Sequence, residues 1–273
     1  SLAGPFAFAG VAVARGGKTG EVFCAAADGI KAGPETLFRA ASISKVVTGQ
    51  VLARAAAQRG IGHPYHVDVS DILGWPLRHP RHAETPITLA MVAAHFAGLS
   101  DEGGYLIPPD RSLEDWLEQV TVWAAKPGTT FAYSNLGYVV LAACAEALTG
   151  RHFGDLAGEF LDELGVAGGF NWWGVAERDN RVATYRREPA GLAPQIDAIV
   201  APKGLSLPDG TELSLAGYRP AINPSPFSPQ GGLRLSMAGA LRLAQALPRF
   251  DARALWSPDM GVTTGPDGVF EGY

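Results

Sequence analysis

The sequence predicts a mixed α/β protein, and three features carry that expectation. An apolar pair of segments joined by a glycine-rich turn opens the chain. Helix-spaced apolar positions follow Ser42, and a stretch rich in proline and glycine comes late. Residues 8–14 form an apolar, β-leaning run, 15–20 a turn, and 21–27 the returning strand of a hairpin. A helix is expected from Ser42 to Arg59, stopped at Gly60, with Val46, Val47, Val51, Leu52 and Ala55 on its buried face.

The middle of the chain reads as mainly helical. Residues 61–85 look like loop, broken by Pro64, Pro76 and Pro80. Thr88 is placed to cap a short helix over 89–96 that ends at Gly98. Ser112 and Asp115 form a capping-box pattern for a helix that stops before Pro127 and Gly128. Asn135 precedes a helix over 136–148 ending at Gly150, and another fits 153–164. Residues 167–232 look long and irregular, before Ser236 starts a last helix over 237–247. No internal repeat or low-complexity tract is present.

Composition excludes several classes of function. With 47% hydrophobic and 18% charged residues in a chain of 273, the protein is of ordinary globular type. The net charge of −5 and the absence of a basic run argue against nucleic acid as a partner. No apolar stretch is long enough for a membrane span. No basic-then-apolar leader is visible, so the compartment stays open: cytoplasmic, or periplasmic or secreted with a signal already removed. Cys24 and Cys144 lack metal-type spacing and read as small buried hydrophobes.

Two short patterns carry candidate chemistry. Ser42-Ile43-Ser44-Lys45 sets a serine and a lysine three residues apart, which on a helix share one face. A serine hydroxyl is a weak nucleophile until a neighbouring base takes its proton, and only a neutral lysine amine can do so. Apolar neighbours Ala40, Ala41, Val46 and Val47 disfavour the charged form. The plainer reading makes Ser42 a helix cap and Lys45 a solvated cation. The second pattern, Tyr133-Ser134-Asn135, follows the turn that Pro127 and Gly128 begin. There a phenol can relay protons, and an amide can hold a substrate carbonyl or the lysine. Its plainer reading is that Asn135 caps a helix and Tyr133 packs.

Taken together and in this order, the segments Phe38-Arg39-Ala40-Ala41-Ser42-Ile43-Ser44-Lys45 and 127–135 resemble the serine β-lactamase and penicillin-binding-protein-like superfamily. Tyr-x-Asn in place of Ser-x-Asn points to the branch of class C β-lactamases, D-aminopeptidases and family VIII carboxylesterases. Thr85-Pro86-Ile87-Thr88 with His95-Phe96-Ala97-Gly98-Leu99 resembles a further segment of that branch, with Phe96 and Ala97 replacing its usual small polar pair. Gly231-Gly232-Leu233 with Ser236 resembles its entry into a late helix.

The resemblance implies a β-lactamase-like α/β fold. An antiparallel sheet lobe (1–60 and 231–273) would carry an inserted, mainly helical lobe (61–230), with the active site between them. It implies Ser42 as the acylated nucleophile, Lys45 and Tyr133 as its activators, and Asn135 as a substrate-positioning group. No metal or organic cofactor is implied. The partner would be a small ester, amide or β-lactam, with ester hydrolysis the first choice and D-aminopeptidase, amidase, β-lactamase or acyltransferase activity open.

The sequence also departs from this pattern. The family's third motif, Lys-Thr-Gly or a variant, is expected after the late helix, where the chain instead reaches Tyr273. Lys18-Thr19-Gly20 has the letters but precedes the serine, in the expected hairpin turn, and Thr264-Gly265 sits in a turn-like run. Such a sheet would take its C-terminal strands from a longer polypeptide, the first choice, or from a second polypeptide, or else the fold would be a reduced variant. The competing, non-catalytic expectation is a sensor or interaction module that keeps the scaffold.

Four histidines and an aspartate, His63, His66, Asp68, His79 and His82, supply zinc-type ligands, but on a proline-broken loop that presents no common face, so no metal is expected. His95 reads as a structural histidine on an apolar helix face. Trp172, Trp173, Tyr185 and Phe227 are either pocket walls or core under long loops.

Overall fold

Side-chain oxygens of Asp68, Thr88 and Ser134 accept from backbone N–H groups two or three residues ahead, and each starts a helix. The computed structural model describes residues 8–15, 18–26, 29–119, 123–189, 191–194, 197 and 199–246. They form two compact units, one within 44–153 and 218–230, the other within 1–43, 154–217 and 231–250.

The first unit holds α1 (Ser44–Gln58), α2 (Val69–Leu73), α3 (Leu89–Ala93), α4 (Leu113–Gln119) and α5 (Asn135–Thr149). Helix α5 is its centre. Every residue from Leu136 to Glu146 is buried, and α1, α2 and α3 pack around it. A helix buried on all sides needs apolar residues all round, which the run Leu136–Ala145 supplies.

Several sequence expectations are corrected here. Helix α1 starts at Ser44 rather than Ser42; Val47, Val51, Leu52 and Ala55 are buried, but Val46 is exposed. A short helix, α2, occupies part of the expected loop, started by Asp68 and ended by left-handed Gly74. The described part of α4 runs to Gln119, consistent with a helix that stops before Pro127, and Trp123 bridges to Leu99. Gly98 (φ 73°) is required at that approach: a Cβ there would stand 2.1 Å from the Ala125 carbonyl oxygen.

The second unit opens with the antiparallel hairpin β1 (Phe8–Arg15) and β2 (Lys18–Ala26), in register from Phe8↔Ala26 to Val13↔Glu21. Strand β2 begins at Lys18, so Lys18-Thr19-Gly20 belongs to a strand and not to the turn where it was expected. Next come β3 (Phe38–Arg39) and, beyond a 3-10 turn over Ala41–Ile43, α6 (Phe153–Glu163) and β4 (Gly168–Phe170). Small hairpins β5 (Tyr185–Glu188) with β6 (Gly191–Pro194), and β7 (Leu205–Ser206) with β8 (Glu212–Leu213), give order to part of the stretch expected to be irregular. Strand β9 (Leu233–Leu235) and α7 (Met237–Ala246) follow, with α7 packed on β1.

Strand β9 pairs antiparallel with both β3 and β4, giving a sheet ordered β3-β9-β4. Beside it Leu37, Trp172 and Val175 form a core cluster, joined by Val200. Arg234 of β9 is buried against Asp197 at 2.6 Å, and the same carboxylate oxygen accepts from Trp172 Nε1 at 3.0 Å. Residues 247–273, including Thr264 and Gly265, lie outside the described residues. The described sheets are thus short and antiparallel, and the fold is mixed α/β.

Candidate active site

Ser42 is the middle residue of the 3-10 turn, which runs directly into α1. Sheet hydrogen bonding sets the approach: Ala40 N donates to Leu233 O at 2.9 Å, and Ile43 N to Ala40 O at 3.2 Å. Between them Ala41 adopts φ 47°, a left-handed conformation that costs a non-glycine residue about 1–2 kcal/mol. The strained turn leaves Ser42 exposed. Three residues later, Lys45 lies in the first turn of α1 and is buried to 4% exposure.

Within the helical unit, Lys45 is held by oxygens. Nζ donates to Asn135 Oδ1 at 2.8 Å and to the Gln230 carbonyl at 2.8 Å. One helical turn on, Thr48 Oγ1 donates to Pro229 O at 2.7 Å, which fixes the segment carrying that carbonyl. The amine also lies 4.9 Å from the Tyr133 ring centroid and 5.3 Å from that of Tyr138. Lys45 is therefore a neighbour of Tyr133 and Asn135, although the sequence sets it 90 positions from Asn135. Tyr133 stays accessible, at 39% exposure.

Ser134, not Asn135, caps α5, accepting from Gly137 N at 3.1 Å. Asn135 is the first residue of the helix, which leaves its amide available to Lys45. Asp101 holds the same helix start, accepting from the backbone N–H groups of Asn135 (2.9 Å) and Leu136 (3.0 Å) and from Ser134 Oγ (3.1 Å). An anion there is favoured by the helix dipole.

His95 is not on a helix face. It follows α3 with φ 62°, accepts from Ala132 N through its carbonyl, and accepts from Ser134 N through Nδ1 at 3.1 Å. Its ring lies 4.4 Å from that of Tyr133. His95 thereby shapes the turn that presents Tyr133. Asp101, Gln230 and this use of His95 were missed from sequence. The signal available was the His95–Leu99 segment, which the resemblance marked without showing its contacts.

Burial first, then the charge of Lys45, lowers the His95 pKa to about 4, with Asp101 pulling the other way. The folded value lies below the ordinary 6.5, so between those pH values the unfolded chain binds a proton that the native ring refuses. Stability from neutral His95 is complete above pH 6.5 and is lost as pH falls towards 4, by about 3 kcal/mol in all. Urea unfolding of the parent and of His95→Gln between pH 7 and 4 measures this. The parent's advantage should shrink as the pH falls; a constant difference would contradict a neutral buried ring.

Of the aromatic residues considered as pocket walls, Trp172 and Phe227 are fully buried, and Trp173 donates to Asp155 Oδ1 at 2.7 Å; Tyr185 is exposed on β5. Trp172 and Phe227 are core. In the histidine-rich segment, the Asp68 carboxylate is committed to Arg78, and His79 Nδ1 accepts from Arg81 N at 3.0 Å. Among the described residues, no three histidine, cysteine, aspartate or glutamate side chains are grouped to hold a metal ion. Cys144 is buried and Cys24 half-buried.

A mixed α/β fold with a serine at a strained turn and a buried lysine on the helix it opens defines the class. The chain belongs to the beta-lactamase family, whose family model matches residues 5–273. The D-amino acid amidase of Ochrobactrum anthropi SV3 superposes with a TM-score of 0.65 at 16% identity, over 91% of this chain and 67% of the amidase. EstCE1, a hydrolase with promiscuous acyltransferase activity, superposes with a TM-score of 0.63 at 19% identity, over 96% of this chain and 73% of that protein. In sequence, a Dichelobacter nodosus protein named for fimbrial assembly (FimD, serogroup D) is 29% identical over 139 residues. That alignment covers 48% of this chain and 34% of FimD, so the matched part spans about a third of that relative. Among the described residues no helix is long and apolar enough to cross a membrane.

Proposed function

We propose that this chain is a serine acyl hydrolase that cleaves a small ester, or an amide, through an acyl-enzyme. One observation carries the reading. Three residues beyond an exposed serine, a buried lysine donates to Asn135 Oδ1 and Gln230 O at 2.8 Å, beside the Tyr133 ring. In its neutral form the amine carries a lone pair beside its N–H donors, and in that form it can act as the base.

In this reading, Lys45 Nζ takes the Ser42 Oγ proton as Oγ bonds to the substrate carbonyl carbon, whose oxygen becomes an oxyanion. Collapse of the tetrahedral intermediate breaks the bond to the leaving group, which departs with a proton passed through Tyr133. Water then attacks the acyl-Ser42 ester. Its proton travels the same path in reverse, the acid leaves, and Ser42 is regenerated. Asn135 keeps Lys45 placed and helps position the substrate carbonyl. Esters come first because an alkoxide leaves with less protonation than an amine does. The amidase and acyltransferase activities named for the structural neighbours make amides and alcohol acceptors the next substrates to try.

Intact-mass spectrometry after treatment with a fluorophosphonate tests the nucleophile. One adduct is expected on the parent chain and none on Ser42→Ala. A folded parent that takes no adduct would sink the hydrolase reading and favour a non-catalytic binding module.

A further inference from the structure

Asn135 has an ambiguous side chain, since its oxygen and nitrogen are alike in size and only their partners tell them apart. Here the partners decide. Asn135 Nδ2 donates to Asp101 Oδ2 at 2.8 Å, while Oδ1 accepts from Lys45 Nζ at 2.8 Å. An ionised carboxylate accepts and never donates. Facing Asp101, the amide therefore turns its NH2 inward and its carbonyl toward the lysine. Reversed, it would set an oxygen against a carboxylate, lose the bond to Asp101 and leave the lysine N–H without its acceptor.

Asp101 is itself fixed by three further donors. Oδ1 accepts from Ser134 Oγ and Leu136 N, and Oδ2 accepts from Asn135 N as well as from the amide. Leu99, two residues upstream, is tied to Trp123 by a bridge, and Gly98 accepts from Ala124 N at 2.8 Å. The carboxylate thus reaches the start of α5 from a loop anchored elsewhere. We propose that Asp101 is a positioning residue: it sets the orientation of the Asn135 amide and, through it, the placement of Lys45 for proton transfer from Ser42. The assignment rests on the serine hydrolase reading for its effect on rate, but not for its effect on the amide.

Two measurements separate those parts. The chain has four asparagines, Asn135, Asn171, Asn180 and Asn223, so selective 15N-asparagine labelling gives few side-chain NH2 signals. Loss of one signal in Asn135→Ala assigns the Asn135 amide. In the parent it should exchange slowly with solvent. In Asp101→Asn, of the same size but able to donate, it should shift and exchange at least about tenfold faster. Fast exchange in the parent, or an unchanged signal in Asp101→Asn, overturns the proposal, and the parent measurement stands even if the variant does not fold.

The rate of fluorophosphonate labelling supplies the second readout. Asp101→Asn should slow labelling about tenfold or more in the parent but less than about twofold in Asn135→Ala, where no amide remains to be oriented. Equal slowing in both backgrounds would reduce Asp101 to a helix cap. Ser112→Ala is the control for capping: it removes the cap of α4 and no contact to Asp101 or the amide, so it should lower the melting temperature while labelling stays within about twofold. A parent chain that takes no adduct removes the hydrolase reading, and the amide signal alone then decides the orientation.

Discussion

Lys45→Met is expected to slow acylation of Ser42 by about a thousandfold, because general-base catalysis of this kind contributes roughly 10²–10⁴ in rate. Methionine keeps the length and fills the buried space beside the Tyr138 ring, so packing changes little. What disappears is the amine. The Asn135 and Gln230 oxygens lose their donor, at a cost to stability of about 1–2 kcal/mol, too small to explain the rate. Lys45→Arg should not restore activity. A guanidinium stays charged, has no lone pair to offer a proton, and is too broad for a site fitted to one nitrogen. Second-order rates of fluorophosphonate labelling and of ester hydrolysis check both variants against their unfolding free energies. A Lys45→Met protein that labels within tenfold of the parent would show that another group takes the serine proton.

Glu146→Ala should be the most damaging substitution for stability. Glu146 is wholly buried on α5, and its carboxylate accepts from Phe153 N (2.7 Å), Ala221 N (2.7 Å) and the Tyr218 hydroxyl (2.8 and 2.9 Å). Burial, followed by the charge of Glu146, drives the Tyr218 phenol well above its ordinary pKa, so it remains a donor at any working pH. Alanine would leave these donors buried without that acceptor, and would open a cavity. The combined loss is on the order of 4 kcal/mol, read as a lowered midpoint in urea and a melting temperature down by about 10 °C. Glu146→Gln keeps the volume but turns an NH2 toward groups that already donate, so it should fall between the two. A Glu146→Ala protein within 1 kcal/mol of the parent would mean that water or a rearranged loop replaces the carboxylate at little cost.

Local chemistry was legible wherever a few adjacent residues decide the outcome. Thr88, Ser112 and Ser236 all cap as the sequence indicated, because a hydroxyl reaching the N–H three residues ahead needs nothing distant. The apolar run after Asn135 became the central helix for a similar reason. Reading failed where two remote segments meet. Strand β9 reads only as the approach to a helix, yet it is the middle of a sheet whose other strands lie far away in sequence. Asp101 stands in a loop with no motif of its own, and only the fold brings it to the first turn of α5. Glu146 looks like a polar interruption in an apolar helix until the Tyr218 segment is seen closing over it.

By itself, the sequence determined the mixed α/β class, the family resemblance carried by Ser42, Lys45, Tyr133 and Asn135, and the chemistry those side chains can perform. Tertiary structure alone decided which oxygens hold the Lys45 amine, which way the Asn135 amide faces, and that Ser134 rather than Asn135 caps α5. The reason is physical: residue type fixes what a group can donate or accept, whereas its partner depends on chain segments that only folding brings within 3 Å.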